Sequence, residues 1–187
     1  MEKLSINKLT NIPVYDLGDI ILRPIREDDY HDMFLYGSDP EVTKTLFWDT
    51  YKEETDALES IKNVFLTRPA KGVPLAHGIV HKNENKMIGT CDIFFIDYER
   101  GLGEIGYCLN RKYWNKGYTT KACKKVIEFG FDYLGLDKII IRHHKGNIGS
   151  RRVIEKSGFK YLKDVYLESK DEYFPTYSLT KEDFFIR

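Results

Sequence analysis

Leu109-Asn110-Arg111-Lys112-Tyr113-Trp114-Asn115-Lys116-Gly117-Tyr118-Thr119-Thr120 joins a strand to a helix in the second half of the chain. It ends an apolar strand, crosses a basic turn and enters a helix whose first turn is Gly117 to Thr120. Such a junction points several backbone N–H groups into one concavity, at the positive end of the helix dipole, and so forms a site for phosphate oxygens. Gly117 allows close backbone approach, Lys116 adds charge, and Thr119 and Thr120 offer hydroxyls. Taken alone, the segment is equally an ordinary strand-to-helix turn.

Outward from this turn the pattern alternates between the two periods. Upstream, Asp19 to Arg23 reads as a strand ended by Pro24, and Glu27-Asp28-Asp29 starts a helix with acids at its dipole-favoured end. Asp39-Pro40 is an N-cap with proline at the first helical position, followed by a short helix to about Leu46. Residues 52–67 place Ala57, Leu58, Ile61, Val64 and Phe65 on one helical face. Leu75 to His81 and Lys86 to Asp97 form an antiparallel hairpin across Asn83-Glu84-Asn85, and Leu102 to Leu109 is the strand leading into the turn. Downstream, the helix after Gly117 stacks Ala122, Val126 and Gly130 and stops at Gly135. Asp137 to His143 is a buried-type strand, a helix covers Gly149 to Lys156, and Phe159 to Leu167 and Tyr173 to Leu179 finish the sheet. The expectation is one α/β domain over residues 1–187, with about seven strands in a mixed sheet.

Composition narrows the function. The 187 residues are 42% hydrophobic, which suits a globular chain rather than a disordered one. Lys plus Arg equals Asp plus Glu at 29 each, so a general nucleic-acid-binding role is not expected. Cys91, Cys108 and Cys123 are odd in number and widely spaced, which fits neither a disulfide framework nor a zinc site but does fit a reducing cytosol. No signal-like or membrane-length apolar run occurs, so a cytoplasmic location without membrane partners is expected.

Several motifs mislead. Gly101-Leu102-Gly103-Glu104-Ile105-Gly106 spells a dinucleotide fingerprint, yet it runs into a strand where that motif needs a helix. His77 and His81 lie roughly 13 Å apart on a strand, too far to chelate one ion, and no metal site is expected. His143 and His144 sit at a strand end and stay open as candidates for proton transfer.

Two segments at a set distance carry the more specific reading. The first runs from Gly103-Glu104-Ile105-Gly106-Tyr107-Cys108-Leu109 through Tyr113-Trp114-Asn115-Lys116-Gly117-Tyr118-Thr119-Thr120-Lys121-Ala122. The second is Asn147-Ile148-Gly149-Ser150-Arg151-Arg152-Val153-Ile154-Glu155-Lys156-Ser157-Gly158-Phe159. Together they resemble the GNAT superfamily of acyl-CoA-dependent N-acetyltransferases, nearest its ribosomal-protein N-terminal acetyltransferase branch. Leu22-Arg23-Pro24-Ile25-Arg26-Glu27-Asp28-Asp29 resembles the opening of that branch.

The resemblance implies a GNAT-like fold: a mostly antiparallel twisted sheet, helices on both faces and a splay between two central strands. It implies acetyl-CoA as co-substrate and an amine acceptor, either a protein N-terminus or a small amine such as a polyamine, amino sugar or antibiotic. The pyrophosphate would lie over Trp114, Asn115, Lys116, Gly117, Tyr118, Thr119 and Thr120, although Asn115 and Thr119 stand where glycine or alanine is usual. Tyr107, Cys108 and Leu109 would present backbone groups to the pantetheine arm. Asn147 would bond the cofactor near its thiol, and Ser150 would place a hydroxyl near the leaving sulfur. Glu104 is the implied general base, with His143, His144 or water as reserves. The tyrosine many members place seven residues after the asparagine is Ile154 here, and the glutamate some place five before it is Arg142. Residues 37–56 and 92–101 are expected to face the acceptor, where Asp92, Asp97 and Glu99 would suit a cation.

Overall fold

The computed structural model describes residues 1–186. Eight strands form one sheet in the order β1-β2-β3-β4-β5-β6-β8-β7. They are β1 (Tyr15–Asp16), β2 (Ile20–Pro24), β3 (His77–His81), β4 (Lys86–Asp97), β5 (Leu102–Leu109), β6 (Lys138–Arg142), β7 (Lys160–Leu167) and β8 (Glu172–Thr180). Every pairing is antiparallel except β5 with β6. The expected count of about seven strands becomes eight because β1 is two residues long, too short for period two to register. The short helices α1 (Ile6–Thr10) and α7 (Lys181–Phe185) were likewise not anticipated.

The parallel pair positions the site. Its register runs only from Leu102↔Lys138 to Ile105↔Ile141, so Gly106 to Leu109 continue without a partner on the β6 side. This is the expected splay, and it leaves backbone groups of β5 free to bond a ligand. On the other side of β5, β4 carries a bulge at Phe94, between Ile93↔Ile105 and Phe95↔Glu104.

Helices cover both faces, each packed into its own apolar cluster. On one face α5 (Tyr118–Glu128) buries Ala122, Cys123, Val126 and Ile127 against Ile93, Ile105, Ile139 and Ile141. Gly130 follows in a wider turn, and a Cβ there would sit 2.8 Å from both Ile93 Cδ1 and Ile139 Cδ1. Glycine is what lets this helix end lie against the sheet. Ile154 of α6 (Ile148–Lys156) joins the same cluster. On the opposite face α2 (Tyr30–Gly37), α3 (Pro40–Thr43) and α4 (Glu54–Ser60) pack Met33, Tyr36, Val42 and Ala57 against Val80, Met87 and Cys108. All three cysteines are buried thiols. Among the described residues no helix is long and apolar enough to cross a membrane.

Candidate active site

The β5–α5 turn is built from main-chain donors. Asn115 and Gly117 both take left-handed backbone conformations, with φ of 61° and 80°. Alternating such residues with right-handed ones curls successive N–H groups toward a common point. The first intrahelical bond is Lys121 N to Gly117 O at 3.0 Å. Among the described residues the N–H groups of 115–120 find no acceptor. Asn115 therefore replaces glycine without loss of geometry, because asparagine visits this region more readily than other side chains. The turn is anchored behind by Trp114 Nε1 donating to Leu109 O (2.7 Å), Tyr113 Oη donating to Glu84 (2.8 Å) and the Arg111–Asp39 ion pair (2.9 Å).

The second motif supplies the other wall. Asn147 caps α6, its Oδ1 accepting from Ser150 N at 2.9 Å, while its Nδ2 donates to Thr45 Oγ1 at 2.9 Å. Both ends of the amide are thus used inside the protein. Ser150 Oγ lies 2.8 Å from the hydroxyl of Tyr107, which also donates to Ser150 O at 3.1 Å. Burial pushes the Tyr107 phenol well above its ordinary range, with nearby Cys123 adding to the shift and the Ser150 bond opposing it. It is neutral at working pH. The sequence reading gave Tyr107 a backbone role only. Its phenol escaped notice because its partner lies 43 positions away.

These walls enclose a cavity of about 660 Å³, a size typical for small-ligand sites. Tyr107, Cys108, Leu109, Trp114, Asn115, Gly117, Tyr118, Thr119, Thr120, Asn147 and Ser150 all line it. Lys116 does not, because its Nζ sits 5.1 Å from the centre of the Tyr113 ring. From residues 37–56, expected to face the acceptor, Glu41, Lys44 and Thr45 also line this cavity. No local pattern announces that placement, which is fixed by the bond from Asn147 to Thr45, 102 positions away in the chain. Cys108 is buried and its thiol is pushed up to about 12, so almost none is thiolate near neutrality.

Glu104 lies outside the cavity lining. It is 5% exposed, and both carboxylate oxygens accept from Arg142 of β6, one at 2.7 Å from Nε. Asp92 of β4 stands opposite Gly106, and one of its carboxylate oxygens accepts from Arg68 at 2.7 Å. Burial raises the Asp92 pKa, and Arg68 opposes the shift. Asp97 contacts Arg100 at 3.6 Å. His143 lies in a separate depression of about 540 Å³, where Arg151 pairs with Glu155 and Lys145 with Asp164. Burial lowers its pKa. His144 pairs with Glu172 at 3.3 Å. Among the described residues, no group of three metal-ligating side chains occurs.

Residues 19–160 match the acetyltransferase (GNAT) domain family, and the chain belongs to it. It is an N-acetyltransferase using acetyl-CoA. The chain is 33% identical over 145 residues to p20, an uncharacterised N-acetyltransferase of Bacillus licheniformis, covering 75% of this chain and 79% of that one. A GNAT-family acetyltransferase from Bacillus anthracis superposes with a TM-score of 0.77 at 22% identity, covering 91% of this chain and 99% of that one. RimL, a ribosomal α-N-protein acetyltransferase in complex with coenzyme A, superposes at 0.77 with 15% identity, covering 90% and 98%.

Proposed function

We propose that the protein holds acetyl-CoA with its pyrophosphate on the N–H groups of residues 115–120 and transfers the acetyl group directly to the α-amine of a protein N-terminus. The observation that carries this reading is the single cavity that joins those donors to Tyr107–Leu109, Asn147 and Ser150. The unpaired edge of β5 beyond Ile105 offers backbone groups to the pantetheine arm. The amine attacks the thioester carbon, the C–N bond forms, and the C–S bond breaks as the thiolate leaves. The Ser150 hydroxyl donates a hydrogen bond to that thiolate sulfur, and the Tyr107 hydroxyl 2.8 Å away positions it. Glu104 takes the amine's proton through a water, with Arg142 holding the carboxylate in place.

A carboxylate acting through a water suits an N-terminal amine better than a lysine-like one. An N-terminal amine has a pKa near ~8 and a lysine-like amine near ~10.4, so only the former is deprotonated without a strong base. The buried carboxylates Asp92 and Glu104 are each held by an arginine, which leaves neither of them free to bind a polyamine. A covalent route through Cys108 is disfavoured by its buried, protonated thiol.

Thiol release from acetyl-CoA, measured over N-terminal peptides, spermidine and amino sugars, tests the reading. Peptides are expected to be the best acceptors. A preference for spermidine would overturn the acceptor class. Coenzyme A binding with no thiol release above hydrolysis would recast the protein as a non-catalytic regulator.

A further inference from the structure

Charge along the cavity is unequally satisfied. Its lining holds three cations, Lys44, Arg152 and Lys156, and one acid, Glu41. Lys44 is paired with Glu41 at 2.5 Å. Among the described residues, no carboxylate pairs with Arg152 or Lys156, and neither side chain makes a hydrogen bond. Both belong to α6, four residues apart, so they share one helix face toward the cavity. Lys156 stands six residues beyond Ser150, about 9 Å further along the helix axis and away from the hydroxyl near the reacting sulfur.

Acetyl-CoA carries two separate anionic groups. The pyrophosphate is satisfied by the main-chain donors of residues 115–120, which leaves the ribose 3′-phosphate, a monoester with nearly two charges at neutral pH. We propose that Arg152 and Lys156 form the subsite for this 3′-phosphate and make the enzyme select coenzyme A over its 3′-dephospho form. The inference rests on the cofactor reading given above and adds to it the residues that choose between two otherwise identical donors. An arginine fork beside a flexible ammonium suits a tetrahedral dianion at the surface. The contact is solvent-exposed, so its contribution is modest and sensitive to salt.

The test is calorimetric titration of the full chain with coenzyme A and with 3′-dephospho-coenzyme A, for wild type and for Arg152→Gln/Lys156→Gln. Both positions are exposed, and a matching melting temperature confirms that the variant folds. Wild type is expected to bind coenzyme A about five- to tenfold more tightly than the dephospho form, the scale of an exposed phosphate contact. The variant is expected to bind both equally, at the wild-type affinity for the dephospho form. Equal affinities in wild type, or a preference that survives in the variant, would overturn the inference. An equal loss of affinity for both ligands in the variant would place the two cations on the pyrophosphate and also overturn it. Failure of wild type to bind either ligand is a separate result, which removes the cofactor reading and this inference with it.

Discussion

The proposed phosphate turn at 109–120 and the proposed acceptor face around Gly106 solve opposite problems with different materials. The turn offers main-chain N–H groups, whose direction depends on backbone conformation and hardly on side chains. It tolerates Asn115 and Thr119 where smaller residues are usual. The acceptor face instead carries two buried carboxylates, each neutralised by one arginine: Asp92 with Arg68 and Glu104 with Arg142. There the side chains are everything, and changing one strands its partner. A sequence motif therefore survives drift in the first region, and chemistry in the second depends on pairs distant in the chain.

The largest expected effect lies on the acceptor face. Arg68→Ala leaves Asp92 buried without its partner and is expected to cost about 3–5 kcal/mol of stability in chemical denaturation. Replacing both residues by apolar ones of similar volume should recover most of that loss. If Arg68→Ala left stability unchanged, the pair would be no buried ion pair in solution.

A pH effect must be separated from either region's chemistry. His77 is buried, its Nε2 is 3.0 Å from Pro13 O, and burial lowers its pKa to about 4 against an ordinary value near 6.5. The unfolded chain thus binds more protons between those values. Full stability is present above pH ~6.5 and is lost as the pH falls toward ~4, by up to about 3 kcal/mol. Melting temperatures from pH 7 to pH 4 should fall accordingly, and a flat profile would remove His77 as the cause.

Glu104→Gln is expected to lower kcat by about 100-fold with the coenzyme A Kd unchanged, the lower end of the range for general base catalysis. In the turn, Gly117→Ala forces a side chain into φ 80°. It should weaken coenzyme A binding by about tenfold, as the left-handed penalty of ~1–2 kcal/mol implies. The smallest effect is expected at Asn115→Gly, which should bind within about twofold of wild type, because the backbone conformation is already glycine-like. A large loss there would mean that the asparagine side chain itself binds the ligand.

This contrast also explains what could be read in the sequence. The β5–turn–α5 unit was legible because each piece is local: an apolar strand, Gly117, then a 3.6-residue apolar period ended by Gly135. The hairpin β3–β4 and the triple isoleucine of β6 were legible for the same reason. The two-residue β1 was not, because no period fits within it. Glu104 was legible as a carboxylate on the right strand, but its bond to Arg142 was not, since β5 and β6 meet only through a crossover helix. The Tyr107–Ser150 bond and the return of residues 41–46 over the cavity are equally non-local. Arg142 had appeared only as the absence of an expected glutamate, and the fold turns it into the partner of the one on β5.

The central claim is that the main chain of the turn binds the donor and the acceptor face does not. Titration of coenzyme A against wild type, Gly117→Ala and Glu104→Gln, all at pH 7.5 and one salt concentration, tests it most directly. Binding is expected to be about tenfold weaker for Gly117→Ala and at wild-type affinity for Glu104→Gln. Unchanged affinity in Gly117→Ala, or a comparable loss in Glu104→Gln, would contradict it.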